Sequence, residues 1–339
     1  MFNELKNKKI TMIKKMMFVA LAMMMAVSGC KAGEQTENNT EKAANGLVKE
    51  LRTVGKFSGI SLIGSCRVIC MPGNKASVMV EAPEGELDKL LTEVKNGMLT
   101  ISREKIAGVR VLAPNKKDRT TVYVTMPTLR SVKLVGSGDV IVKGKVENDD
   151  KLNVSLSGSG DIEFNDIDVK FSNFSLAGSG DIKTGNVKSR LLTEISLAGS
   201  GDIKVGNIET DNAKVSLAGS GDVYASQVKA LNVSVSAVGS GDVKIGYVDC
   251  ASLHVKQVSS SDITIGKIKA VTTNVNKTGS GSLKLAGMTN TYNEVKHGNG
   301  KIDKSGLKYD KTTQKKQASW QSVSRGNGTT SPNGIEAEP

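Results

Sequence analysis

Apolar and polar residues alternate along most of this 339-residue chain, in short runs that end at glycine. Val215 and Leu217 alternate with polar neighbours before one Gly-Ser-Gly-Asp sequence, and Ile203 and Val205 do so after another. A period of two residues is typical of β-strands, whereas helices repeat about every 3.6 residues. The pattern therefore predicts an all-β chain of short strands joined by glycine turns.

The strands belong to a repeat of about 20 residues. The sequence Leu-Ala-Gly-Ser-Gly-Asp begins at Leu176, Leu197 and Leu217, and looser copies precede and follow these three. The first glycine, or the residue in its place, lies at 136, 158, 178, 199, 219, 239, 259, 279 and 298. A unit this short cannot bury its own apolar face, so successive units must stack and pair in parallel. The prediction is a single-stranded parallel β-helix, or β-solenoid, of about nine coils.

Residues 56–130, which precede the repeats, also show strand periodicity. Asn96-Gly97 lies between two alternating runs, and this dipeptide favours a hairpin because a type I′ turn needs positive φ at both positions. Residues 87–94 are also compatible with one face of a short helix, although a turn followed by a strand is preferred. We expect residues 56–130 to cap a solenoid formed by residues 131–305.

The first 30 residues have the features of a bacterial lipoprotein signal. Five lysines precede the apolar run Met16–Val27, which is too short to span a bilayer as a helix. Val27-Ser28-Gly29-Cys30 resembles a lipobox, which predicts lipid attachment to Cys30 and an outer-membrane lipoprotein of a Gram-negative bacterium, exposed at the cell surface rather than facing the periplasm. Residues 31–55 are predicted to be a flexible tether, and residues 306–339 a polar, disordered tail.

The net charge of +12 falls to +8 without residues 1–30, which contain five lysines and one glutamate. This positive charge favours anionic surfaces such as lipid headgroups and polyanionic glycans. Nucleic acid is a poor fit, because aromatic residues make up only 4% of the chain and no basic cluster of the usual kind is present.

Stacked coils would align the corner aspartates in a ladder beside a ladder of lysines two residues after the corner. Such aspartates can accept hydrogen bonds from nearby backbone N–H groups, and the lysines would offset their mutual repulsion. Calcium is the weaker alternative, because the Gly/Asp repeats that bind it are nonapeptides with paired glycines; no cofactor is expected otherwise. The candidate ladder residues are Asp139, Asp161, Asp181, Asp202, Asp222, Asp242, Asp262, Lys183, Lys204, Lys244 and Lys284.

The chain offers few candidates for catalysis. It contains no Gly-x-Ser-x-Gly sequence, and its two histidines, His254 and His297, are predicted to lie on the surface and in a turn. Glu163, Asp166 and Asp168 form a local acidic cluster, which is interpreted as a solvated face. A β-helical polysaccharide lyase or hydrolase is the enzyme alternative, but those enzymes build their clefts from long inserted loops. A non-enzymatic protein is therefore predicted.

Four stretches together resemble the putative auto-transporter adhesin, head GIN domain family of exported bacterial lipoproteins. They are Phe57-Ser58-Gly59-Ile60, the hairpin Val94–Ile101, Thr121–Pro127, and the coils from Gly136 onward. The resemblance implies an adhesin-like β-helical domain and supplies no catalytic residues. Two functions remain open: a surface adhesin that binds a glycan or surface protein, and a periplasm-facing structural or envelope-stress scaffold. The exposed strand edge at the end of the solenoid also raises the hypothesis of a homo-oligomer.

Overall fold

A computed structural model describes residues 40–42, 46–103, 105–106, 109–110, 120–258 and 260–310. Contacts divide the chain into Met1–Asn38 and Asn39–Pro339, and all the described residues lie in the second unit. Every regular element among them is a β-strand, as the sequence predicts. No helix long and apolar enough to cross a membrane occurs in these ranges.

Twelve strands precede or open the repeats. They are β1 (Thr40–Lys42), β2 (Leu47–Arg52), β3 (Gly59–Gly64), β4 (Arg67–Pro72), β5 (Ser77–Pro83), β6 (Leu90–Lys95), β7 (Met98–Arg103), β8 (Lys105–Ile106), β9 (Val109–Arg110), β10 (Thr121–Met126), β11 (Ser131–Gly136) and β12 (Asp139–Val142).

Thirteen strands build the remaining coils. They are β13 (Val146–Glu147), β14 (Lys151–Gly158), β15 (Asp161–Phe164), β16 (Ile167–Gly178), β17 (Ile182–Thr184), β18 (Val187–Leu197), β19 (Ile203–Glu209), β20 (Asn212–Gly219), β21 (Val223–Gly239), β22 (Val243–Val258), β23 (Ile263–Thr278), β24 (Leu283–His297) and β25 (Ile302–Lys308).

The coils stack in parallel and in register, which confirms the solenoid of about nine turns. Equivalent residues of successive coils are Cα partners: Ser196 pairs with Ser216, and Leu197 with Leu217. Alternate residues point inward, so Leu134, Leu156 and the leucines above them form a continuous buried column. This regular stacking gives every outward position a column of its own along the solenoid.

The first coil begins before the predicted repeat. β3 and β4 already follow the coil path, since Gly64 pairs with Gly136 and Arg67 pairs with Asp139. The corner Gly64-Ser65-Cys66-Arg67 has neither the second glycine nor the aspartate, and about 70 residues separate it from the next corner, so its periodicity is hidden in the sequence. The predicted start of the coils at residue 131 is therefore too late.

The other N-terminal strands cap this first coil. β7 pairs with β3, and β10 pairs with β4, both in parallel. β5 then pairs antiparallel with β10, and β2 pairs antiparallel with β5. The hairpin between β6 and β7 is confirmed, because Asn96 and Gly97 both have positive φ, 52° and 72°. The short-helix alternative for residues 87–94 is wrong, since Leu90–Lys95 is a strand.

Two other observed boundaries differ from the predicted ones, at the start of the folded part and at the end of the solenoid. β2 lies within the stretch predicted as a tether, and its Leu47 and Val48 are buried against the cap. At the other end, β25 continues to Lys308, beyond the predicted end of the solenoid at residue 305. The predicted signal peptide and residues 311–339 of the predicted tail lie outside the described residues.

One inward column changes from apolar to polar in the last coils. The leucine column continues through Ala237 to Gln257 and Lys277, both completely buried, and the Lys277 ammonium donates to the Gln257 amide oxygen at 3.0 Å. Burial lowers the pKa of Lys277, and the neighbouring Lys296 ammonium adds to this effect. The apolar stacking of this one column ends here, whereas other inward columns continue through Leu283, Leu285 and Leu307.

Candidate functional site

The corner aspartates form a column, and from Asp161 to Asp262 each carboxylate accepts a hydrogen bond from the coil that follows. The backbone N–H of Asp202 donates to Asp181 Oδ1 at 3.1 Å, and the N–H of Asp222 donates to Asp202 Oδ1 at 3.0 Å. The same bond recurs along the column, between the N–H of Asp181, Asp242, Asp262 and Ser282 and the Oδ1 of Asp161, Asp222, Asp242 and Asp262. Each carboxylate therefore satisfies a backbone donor that the tight corner leaves without a strand partner.

The second carboxylate oxygen pairs with a lysine of the same coil. Lys183 Nζ lies 3.1 Å from Asp181 Oδ2, Lys204 lies 2.9 Å from Asp202, and Lys244 lies 3.0 Å from Asp242. At Asp139, Arg67 of the first coil takes this role and lies 3.1 Å from the carboxylate. The last candidate lysine, Lys284, lies two residues after Ser282, so its own corner has no aspartate with which it could pair. The structure thus brings the two ladders together.

The electrostatics of the column favour the charged forms. Partial burial would raise the pKa of Asp202, but the hydrogen bonds from Lys204 and from the N–H of Asp222 outweigh it and hold this pKa below its ordinary value. The same pairing raises the pKa of Lys204 and, beside Asp242, that of Lys244. At the corners that carry a lysine, both carboxylate oxygens are therefore already occupied by protein donors.

The hydrogen bonds and ion pairs of these carboxylates argue against the calcium alternative. Calcium binds several oxygen ligands at once, commonly six to eight, whereas each corner contributes one aspartate. The oxygens of Asp202, for example, already face an N–H and an ammonium. Across the described ranges, no group of three or more His, Cys, Asp or Glu side chains is arranged to hold a metal ion. The column is better explained as a structural element that joins neighbouring coils.

We expect Asp202→Ala to lower the free energy of unfolding by about 1–2 kcal/mol, because it leaves the N–H of Asp222 without its acceptor. Asp202→Asn keeps a carbonyl oxygen at this position and should lose less than half as much. Urea unfolding followed by far-UV circular dichroism measures both variants. Equal losses for the two would show that charge, and not the hydrogen bond to the next coil, is the stabilising contribution.

The stability difference between the wild type and Asp202→Ala should depend on pH. Because the pKa of Asp202 is lowered on folding, its ionised form stabilises the fold above the unfolded-state pKa of about 3.9, and this contribution is lost as the pH falls through the lower folded-state pKa. The stability difference between the wild type and Asp202→Ala should therefore be constant near neutral pH and shrink below about pH 4.

The lysine column is interrupted at several coils, by Glu163 before Lys183 and by Thr264 after Lys244, and once between two lysines. Tyr224 takes the lysine position between Lys204 and Lys244, its direct partners in the coils on either side. Its side chain is 44% exposed, and no lysine pairs with Asp222 in the part of the chain that the structure describes. In a different column, Lys267 Nζ lies 5.6 Å from the ring centre of Tyr247 in the preceding coil.

The acidic cluster of the sequence does not form a catalytic pair. Asp168 contacts Lys145 at 3.0 Å, and Asp166 accepts hydrogen bonds from the backbone and side chain of Asn186. Glu163 lies on the preceding strand, in the same column as Lys183. Both histidines are exposed. These side chains are engaged in packing one coil on the next, and nothing in their arrangement indicates an activated nucleophile or base.

Three cysteines within the described ranges, Cys66, Cys70 and Cys250, are buried free thiols. Burial raises the pKa of Cys70 to about 12 and that of Cys250 to about 11, so both remain protonated and unreactive at neutral pH. Cys30, the predicted lipid-attachment residue, lies outside the described residues.

Comparisons with known proteins agree with this architecture. A family model described as "Putative auto-transporter adhesin, head GIN domain" matches residues 56–246 and 184–282, and the overlap of the two matches is expected of a repeated unit. A search of curated proteins finds no match.

Several crystal structures have a similar fold. One, described as a putative lipid binding protein from Parabacteroides distasonis, is 20% identical over 79% of this chain and 98% of that chain, with a TM-score of 0.47. A putative adhesin from Bacteroides fragilis is 18% identical over 76% and 96%, with a TM-score of 0.42. A putative adhesin from Parabacteroides merdae is 16% identical over 77% and 97%, with a TM-score of 0.50. At these identities the likeness concerns the fold alone.

Proposed function

Because the chain belongs to the putative auto-transporter adhesin, head GIN domain family, we propose that it is a non-enzymatic envelope lipoprotein whose solenoid binds an acidic glycan at the cell surface. In this proposal, lipid on Cys30 holds the protein on the outer membrane, and the ligand lies along the side of the solenoid. The observation that carries the binding site is the replacement of one ladder lysine by the exposed Tyr224.

Tyr224 supplies the kind of surface that a sugar ring needs. A flat aromatic ring offers apolar area at little cost in side-chain entropy, and its hydroxyl can hydrogen bond. The interruption is informative because the fold does not require it: lysine occupies the equivalent position in the coils on either side.

The flanking lysines define the charge of the ligand. Lys204 and Lys244 each pair with the aspartate of their own coil, but an ammonium has three donors and both side chains remain about half exposed. Their remaining donors face solvent on both sides of the tyrosine ring. A carboxylate or sulfate on a sugar unit is the complementary group, which favours an acidic over a neutral glycan.

We expect Tyr224→Ala to weaken binding of a uronic-acid polysaccharide by about tenfold, the loss expected for one stacking contact. Tyr224→Phe keeps the ring and should retain most of the affinity. Leu231→Ala is the matched control, since it also removes an exposed apolar side chain, but from a different column. Titration calorimetry on the full chain measures all three, and equal affinities for the wild type and Tyr224→Ala would reject this site.

A periplasm-facing scaffold is the second candidate function. It is favoured by the Asp–Lys ion pairs within single coils, because they need no external ligand. Protease treatment of intact cells separates the two. Loss of the protein while periplasmic markers survive supports surface display. Survival until the outer membrane is broken would reject the adhesin and support the internal role.

A further inference from the structure

One narrow side of the solenoid carries a column of alternating charge. In the coil that contains Gly206, its member is Glu209, which points outward because the preceding Ile208 is buried. Each member is a Cα partner of the next, so the charges lie directly above one another. This charged column consists of Asp168, Lys188, Glu209, Lys229, Asp249 and Lys269.

Stacking within one chain does not neutralise the middle of the charged column. Near its upper end, Lys269 pairs with Asp249 at 3.1 Å. Lys188, Glu209 and Lys229 form no ion pair with any residue that the structure describes, although each has an oppositely charged Cα partner in the coils on both sides. All three side chains are exposed. Their charges therefore remain available to a partner with the complementary order.

The charged column is complementary to its own reverse. When two copies face each other antiparallel about the point between Glu209 and Lys229, each of these residues lies opposite the other in the second copy. The same reversal sets Lys188 opposite Asp249, and the two end members also meet an opposite charge. A parallel pair in the same register would set every charge opposite itself, and like charges across an interface repel. The order of charges thus selects the antiparallel arrangement.

The neighbouring outward column has the same symmetry. Its members precede those of the charged column by two residues, and they are Asp166, Asn186, Asn207, Gln227, Tyr247 and Lys267. Reversal about the same point sets Asp166 opposite Lys267, and the Asn207 amide opposite the Gln227 amide. A carboxylate complements an ammonium, and two amides can each donate and accept a hydrogen bond. Two adjacent columns therefore share one centre of reversal.

We propose that two copies of this chain associate side by side and antiparallel through these two columns, with a two-fold axis between Glu209 and Lys229. Such a contact is isologous, because the same surface of both copies takes part. Six coils extend about 29 Å and a five-residue strand about 16 Å, so each copy contributes about 400 Å². This is about half of the usual area per partner, so the dimer is weak, with a Kd of about 1 µM or above. The surface is the side of the solenoid and differs from the strand edge at its end.

Charge reversal tests the pairing, with the full chain in mild detergent and no glycan present. Glu209→Lys sets a positive charge opposite Lys229 of the second copy and should raise the dimer Kd at least about tenfold, as should Lys229→Glu. The double variant Glu209→Lys/Lys229→Glu restores opposite charges and should return the Kd to within about threefold of the wild type. Glu163→Lys makes the same change of charge on another column and is the matched control. Sedimentation equilibrium from about 1 µM to 1 mM measures all five proteins.

Disulfide trapping tests the orientation. Lys188→Cys and Asp249→Cys are made in separate chains and mixed under mild oxidation, with the wild type as background. An antiparallel pair brings these two positions opposite each other, so mixed dimers should form. Position 188 lies three coils, or about 14 Å, from its own equivalent in the second copy, which is beyond the reach of a disulfide.

Three results would overturn the proposal. A wild type that stays monomeric up to about 1 mM would show that the two columns do not pair. A dimer that tolerates both single reversals, or that the double variant does not restore, would assign the alternating charges to stacking within one chain. Disulfide-linked dimers of Lys188→Cys alone would show a different orientation. Tyr224 lies on another column and no glycan is used, so this test and that of the proposed function can fail separately.

Discussion

Gly201→Val is expected to lower the free energy of unfolding by about 3 kcal/mol or more, the upper range for overpacking of a closed site. A Cβ on Gly201 would overlap the carbonyl oxygen of Gly180 in the coil below. The same overlap exists at the inner glycine of other corners, at Gly160, Gly180, Gly221 and Gly241. The requirement is close backbone approach rather than left-handed geometry, because Gly201 does not have positive φ. At these corners the close approach of neighbouring coils depends on this space staying empty.

Gly55→Val is the control, since nothing lies within 4 Å of a Cβ at that position. Urea unfolding followed by circular dichroism compares the two variants, and a loss below about 0.5 kcal/mol for Gly201→Val would contradict the prediction. Valine is the informative substitution, because a serine, Ser261, already occupies the inner position of one corner.

Phe174→Ala is expected to cost about 3–5 kcal/mol, the range for a large aromatic side chain removed from a packed core. Phe174 is completely buried, and its column neighbours Val154 and Ile195 are too small to fill the space. Phe171 lies three residues earlier in the same strand and is 38% exposed, so Phe171→Ala should cost less than about 1 kcal/mol.

Thermal unfolding of Phe174→Ala and Phe171→Ala, in the same buffer and at the same protein concentration, measures the two losses of stability. Because each coil contacts only its neighbours, exchange of the amides in the flanking strands should increase most. A similar loss of stability for both phenylalanine variants would mean that Phe174 is not part of a continuous core.

The sequence was sufficient to predict the repeated part of the fold. Alternation defines strands, and the constant spacing of Gly-Ser-Gly-Asp defines the register, because close approach at the corner permits only one alignment of successive coils. The first coil was missed because Gly64-Ser65-Cys66-Arg67 lacks the second glycine and the aspartate. β2 was missed because its partner, β5, lies about 30 residues away and its short stretch is only partly apolar.

The candidate site was less predictable than the fold. Asp and Lys columns follow from the repeat, but the bond from each carboxylate to the next coil's N–H exists only after stacking. The sequence does not indicate a role for Tyr224, because an isolated tyrosine in an alternating strand matches no motif. Its proposed role depends on Lys204 and Lys244, which become its neighbours only in the folded solenoid.

The corner bonds also have a direction along the chain. From Asp161 to Asp262, each aspartate accepts from the N–H of the following coil, and from Asp181 onward each also donates its own N–H to the preceding aspartate. Insertion of a whole coil among them would add one donor and one acceptor and leave the balance unchanged, with Asp161 at one end and the N–H of Ser282 at the other. The protein can therefore lengthen or shorten by duplication or loss of single units without redesign of its ends, and its length is a variable that evolution can adjust in steps of about 20 residues.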